Sequence, residues 1–85
     1  MLRDPNTEID LHGMSVDEAI IAVNGFLDKA YRKHVRRAWI IHGKGTGTLR
    51  RAVRQHLMKH PLVQSCANAD SYLGGTGVTQ VEIVD

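Results

Sequence analysis

One cysteine, two prolines and only four aromatic residues (one tryptophan, two tyrosines, one phenylalanine) occur among the 85 residues of this sequence. Each scarcity excludes something. Cys66 cannot form an internal disulfide. No apolar run approaches the roughly 18 residues of a membrane span or the core of a secretion signal, which points to a cytoplasmic protein with no membrane partner. Phe26, Tyr31, Trp39 and Tyr72 are too scattered to form a base-stacking platform, so Trp39 is read as a core residue and Cys66 as a small buried one. The length suits one domain and leaves no room for a second. Residues 1–7 lack periodicity and read as a mobile leader or linker remnant, with the folded unit over residues 8–85. Composition fits a stand-alone protein and a module of a longer one equally well.

Acidic residues are also missing from a long stretch. Between Lys29 and Ala69 there is no Asp or Glu, while ten of the eleven Lys and Arg residues lie there. The net charge of +2 conceals this polarity. A surface basic over half the chain favours contact with a polyanion.

What is present alternates between strand and helix signals. Glu8-Ile9-Asp10-Leu11 and Ala38-Trp39-Ile40-Ile41 are apolar stretches, and each runs into a His-Gly pair, His12-Gly13 and His42-Gly43. The second is apolar on both faces, which predicts a central strand covered by helices on each side. Ser15-Val16-Asp17-Glu18 has the form of a capping box. Val16, Ala19, Ile20, Val23, Leu27, Ala30, Tyr31 and His34 recur at helical spacing after it. A second helix is predicted from about Thr48, with Leu49, Ala52, Val53 and Leu57 inward, and ends before Pro61. Residues 62–69 read as a weaker strand, residues 73–77 as a turn, and Thr79, Val81 and Ile83 as the inward face of a last strand. The order is β-α-β-α-β-β. Parallel pairing of the two His-Gly strands would place both imidazoles at one carboxyl edge, where open α/β sheets bind ligands.

His42-Gly43-Lys44-Gly45-Thr46-Gly47 links a strand to a helix start, so its backbone amides and the helix dipole form a cradle for an anion. It is neither a P-loop, which needs Lys and Ser or Thr after the last glycine, nor a dinucleotide fingerprint, which needs a glycine at position 48 and an acid about twenty residues on. Arg50, Arg51 and Arg54 add a basic rim that suits backbone phosphates. Asp10 and His12 leave the same face of their strand. Asp10, His12 and His42 are therefore the candidate catalytic residues for phosphodiester cleavage, with Gly43, Lys44, Gly45, Thr46, Gly47, Arg50, Arg51 and Arg54 as candidate nucleic-acid contacts. If the substrate is RNA, two imidazoles can act on its own 2'-hydroxyl. If it is DNA, water must be activated, and a divalent cation such as Mg2+ or Mn2+ on Asp10 becomes the natural expectation. His56 and His60 are spaced like a zinc helix, but Leu57 stands where that motif needs glutamate.

Three ordered motifs, Asp10-Leu11-His12-Gly13, His42-Gly43-Lys44-Gly45-Thr46-Gly47 with Leu49-Arg50, and Gly74-Gly75-x-Gly77-Val78-Thr79, together resemble the Smr, or small MutS-related, domain, and most of all its MutS2 branch. The family's Leu-Asp-x-His signature falls on residues 9–12 with Ile9 in place of leucine, and its His-Gly-x-Gly signature falls unchanged on residues 42–45. The resemblance implies an α/β fold: a two-layer βαβαββ sandwich with a mixed four-stranded sheet, similar to the carboxyl-terminal domain of translation initiation factor three. It also implies endonuclease activity on DNA or RNA, in some members on ribosome-associated RNA, and an upstream ATPase domain in longer members. A non-catalytic nucleic-acid or ribosome binding module is the alternative, and a small-molecule phosphate binder a third.

Overall fold

Two parallel strands cannot be joined by a tight turn, and a helix supplies the crossover. In the computed structural model, which describes residues 4–45, 47–69 and 77–85, β1 (Glu8–Asp10) leads through α1 (Val16–Arg32) to β2 (Arg37–Ile41). Then follow α2 (Thr48–Lys59), β3 (Val63–Asn68) and β4 (Val78–Ile83). The sheet order is β1-β2-β4-β3, with β1 and β2 parallel and both β4 pairings antiparallel. The mixed four-stranded sheet and element order are those expected. The last strand occupies an interior position between β2 and β3.

Local chemistry explains the helix boundaries. At the start of α1 the Ser15 hydroxyl accepts from Glu18 N at 3.2 Å and Glu18 Oε1 accepts from Ser15 N at 2.9 Å, completing a capping box. Asp17 and Glu18 sit at the positive end of the helix dipole, Lys29 and Arg32 at the negative end. At the end of α2, His60 is extended (φ −80°, ψ 130°), the conformation that Pro61 imposes on its predecessor.

Both helices pack on one face of the sheet. Ala19, Val23, Phe26, Leu27 and Ala30 of α1 and Val53 and Leu57 of α2 form one core with Leu11, Ala38, Ile40, Val81 and Ile83. The helical stripe thus includes Phe26, which the pattern reading had left out, while Val16 and Tyr31 near the helix ends are 36% and 39% exposed. The expectation that β2 is covered on both faces is corrected. Ala38 and Ile40 are buried, but Trp39 and Ile41 alternate to the face that bears no helix and are only half-buried. Trp39 is therefore not part of this core, and its Nε1 is buried without a hydrogen-bond partner. On that same face Arg37 Nε meets Glu82 Oε1 at 2.7 Å across β2 and β4.

Residues 4–7 precede the first strand with defined contacts. Thr7 N and Glu8 N donate to Asp4 O, Asn6 N donates to Asp4 Oδ1, and Thr7 O accepts from Trp39 N at 2.8 Å. The turn expected at residues 73–77 lies outside the described residues except for Gly77.

Candidate functional site

Parallel register sets Asp10 opposite Ile41, and Leu11 N donates to Ile41 O at 2.7 Å, so the two strand exits leave the sheet side by side. Asp10 and His12 are exposed there. Asp10 Oδ1 accepts the backbone N–H of His12 at 2.9 Å, which shapes the turn carrying the imidazole. That ring stands against the second exit: a Cβ at Gly43 would lie 3.8 Å from His12 Cδ2. Of the sequence candidates, Asp10, His12, His42 and Gly43 are thus brought together at one sheet edge.

The two imidazoles have opposite surroundings. His42 is 5% exposed. Its Nδ1 lies 3.0 Å from Gly43 O and its Nε2 2.8 Å from Thr79 Oγ1. A carbonyl oxygen can only accept, so the ring proton is assigned to Nδ1, and Nε2 accepts the Thr79 hydroxyl proton. Burial lowers the His42 pKa below the usual histidine value, the Gly43 carbonyl opposing this and the charges of Arg50 and Arg54 adding to it. His42 is a neutral imidazole at neutral pH.

Beside these exits opens a depression of about 330 Å³. Met14-Ser15-Val16 forms one wall, Gly47-Thr48-Leu49-Arg50 the other, and His42, Gly43 and Gly45 lie between them. Two helix amino termini therefore meet across it, and they differ. The capping box closes that of α1, with Asp17 and Glu18 adding negative charge. The cap of α2 is Gly47, which supplies no side-chain hydrogen bond, and the first turn carries no acid. Gly47 has φ +85°, a conformation that a side-chain-bearing residue adopts at a cost. The α2 terminus thus presents its positive end to the depression, with Arg50 beside it.

The remaining candidates spread around this centre. Lys44 is exposed on the loop, and Thr46 lies outside the described residues. Arg51 is exposed and does not line the depression. Arg54, one turn along α2, lines a groove of about 460 Å³ between α2 and β3, and its Nε is buried without a hydrogen-bond partner. His56 Nε2 contacts Asn24 Oδ1 at 2.6 Å, which joins α2 to α1. Sequence reasoning missed Met14 and Val16, which look like ordinary helix-start residues, and read Ser15 only as a cap. It also read Thr79 only as an inward-facing strand residue and gave it no part in the site, although the third motif contained it.

For the divalent cation, the donor set is wanting. Among the described residues no three His, Cys, Asp or Glu side chains are grouped so as to hold a metal ion. One Asp10 oxygen is already engaged with the His12 amide. Among the described residues no helix is long and apolar enough to cross a membrane.

The convergence of two strand exits on a glycine loop agrees with the comparisons. A family model for the Smr domain matches residues 9–84. The chain belongs to the Smr family. It is 48% identical over 86 residues to "Endonuclease MutS2" of Caldicellulosiruptor saccharolyticus, a match covering 99% of the chain and 11% of that protein. It is 47% identical over 76 residues to "Endonuclease MutS2" of Staphylococcus saprophyticus, covering 89% of the chain and 10% of that protein. The chain thus spans about a tenth of the length of these relatives. The crystal structure of the Smr domain of Thermus thermophilus MutS2 superposes with a TM-score of 0.91 at 39% identity, covering 93% of this chain and 99% of that one. YdaL, a stand-alone small MutS-related protein from Escherichia coli, superposes with a TM-score of 0.88 at 27% identity, covering 94% of this chain and 66% of that one. The Smr fold is therefore the one whose strand exits carry His12 and His42.

Proposed function

We propose that this Smr domain is an endonuclease that cleaves or nicks nucleic-acid phosphodiester bonds with little sequence preference. The observation that carries the reading is the depression itself. An uncapped helix terminus, a glycine loop and Arg50 offer positive potential to a phosphate, and an exposed histidine stands at the adjoining strand exit. Relatives named endonucleases add support. A scissile phosphate would be held by the backbone of Gly43, Lys44, Gly45 and Gly47 with the side chains of Lys44 and Arg50, and Arg51 and Arg54 would receive flanking phosphates.

The geometry supports a division of labour between the imidazoles. His12, oriented by Asp10 through its turn, is open to substrate and takes the proton from the attacking oxygen. His42 lines the depression, which His12 only adjoins, but must open one of its two internal hydrogen bonds to exchange a proton, so its neutral ring acts first by shaping the loop. On RNA, the 2'-oxygen bonds to phosphorus as the bond to the 5'-oxygen breaks, and that leaving oxygen takes up a proton from water while the proton of the 2'-hydroxyl stays on His12. On DNA, the attacking oxygen comes from water. Ribosome-associated RNA is one RNA source within this reading, and an upstream ATPase domain is the partner that the longer relatives suggest.

The test is purified domain incubated with labelled RNA and with supercoiled DNA, each with and without chelator. Cyclic phosphate ends formed in chelator support attack by the RNA's own hydroxyl. Activity restored only by Mg2+ or Mn2+ supports a metal route. Cleavage that persists unchanged in His12→Ala and His42→Ala would identify a contaminant and defeat the proposal. The enclosed nitrogens of His42 favour one rival, a non-catalytic nucleic-acid or ribosome binding module, which predicts binding without cleavage under every condition.

A further inference from the structure

The site loop is held from beneath by Gly77, just before β4, and by Thr79 near the start of that strand. Gly77 O accepts His42 N–H at 3.1 Å and Gly43 N–H at 3.0 Å, and Thr79 Oγ1 lies 2.8 Å from His42 Nε2. Thr79 is fully buried in an interior strand. The approach is close: a Cβ at Gly77 would lie at an ordinary 3.5 Å from the Gly43 carbonyl carbon but 3.2 Å from Lys44 Cγ, so the Lys44 side chain would have to give way by a few tenths of an ångström. The hydroxyl of Thr79 has one proton to donate, and Nε2 can receive it only while the ring proton is on Nδ1. That Nδ1 proton is the one donated to the Gly43 carbonyl. Hydroxyl, ring and carbonyl thus form a single directional chain from β4 into the turn that faces the depression.

We propose that Thr79 is a positioning residue for the reaction centre: by donating to His42 Nε2 it holds the imidazole in its Nδ1–H form, and that form pins the Gly43 carbonyl and so sets the phosphate-facing amides of the loop. Thr79 itself touches no substrate. The part of the inference that concerns reaction rests on the nuclease reading, whereas the hold on the loop stands on the hydrogen bonds alone. Partners that orient a metal-ligating histidine change activity by about 10- to 100-fold when removed, and a change of the same order is expected here.

Thr79→Val and Thr79→Ser separate the hydroxyl from the bulk of the side chain. Three measurements apply: which imidazole nitrogen of His42 carries the proton, by long-range proton-nitrogen NMR; the amide shifts of Gly43, Gly45 and Gly47; and the initial rate of RNA cleavage. The valine variant is expected to lose the pure Nδ1–H form, to displace the loop amides and to lower kcat by about 10- to 100-fold with KM little changed. The serine variant restores all three. Should the valine variant fail to fold, Thr79→Ala serves for the same readings. An unchanged tautomer with unmoved amides overturns the proposal, as does an altered tautomer with full activity. Loop amides that depend on Thr79 in a wild-type domain without cleavage support the hold on the loop and sink the nuclease reading alone.

Discussion

Replacing His12 by alanine removes an exposed ring and leaves the core intact, whereas the same change at His42 opens a buried space and strands the Thr79 hydroxyl. Rates of RNA cleavage and urea melting should therefore separate the two. His12→Ala is expected to slow cleavage by about 100-fold or more while stability moves by less than about 0.5 kcal/mol. His42→Ala is expected to lose about 1–3 kcal/mol as well as activity, because a buried donor is left unpaired. Gly47→Ala tests the loop. A Cβ there would meet Arg50 Nη2 at an ordinary 3.7 Å, so the loss of about 1–2 kcal/mol expected in a urea titration comes from the left-handed backbone alone. At this scale the sequence shows which residues gather at the site, since a shared strand exit brings His12 and His42 to one edge. It does not show their difference. Spacing encodes position along a strand, while the burial of His42 depends on β4 approaching through Gly77, a contact between segments far apart in the chain.

Within the elements, Gly25 offers a direct measure of helix propensity. It lies in α1, exposed, with nothing within 4 Å of the place a Cβ would take. Gly25→Ala is expected to raise stability by up to about 1 kcal/mol, read as a shift of the urea midpoint with unchanged slope. Ser15→Ala removes the capping box and is expected to lower stability by about 1 kcal/mol in the same titration. The helix signals were readable because they are local: Ser15 and Glu18 bond to each other, and Pro61 acts on its neighbour. The covering of β2 was not. Four successive apolar residues look alike whether one face or both are covered, and only the packing of both helices on the Ala38 and Ile40 side decides it. Phe26, by contrast, was within reach of the sequence, since Ala19, Val23, Phe26 and Ala30 follow one another at steps of four, three and four.

For the whole molecule, charge sets two expectations. Burial holds the pKa of His42 and of His60 below the ordinary 6.5, Arg50 and Arg54 adding to the effect at His42 and His56 at His60. The unfolded chain then binds protons first as pH falls. Their contribution to stability is complete above 6.5 and is lost as pH falls through that value toward the folded pKa values. Urea midpoints measured from about pH 7.5 down to about pH 5 should therefore decline, and His60→Asn should flatten part of that decline. Binding to an oligonucleotide should weaken with salt, and Arg50→Ala should reduce the log-log slope by about 1. The sheet order carries a last consequence. The strand bearing Thr79, which Gly77 immediately precedes, is the last of the four in sequence yet lies between β2 and β3. A growing polypeptide that has already emitted His12 and His42 still lacks the residues that seat the second ring, so the pocket around His42 can close only after Gly77 and Thr79 have followed.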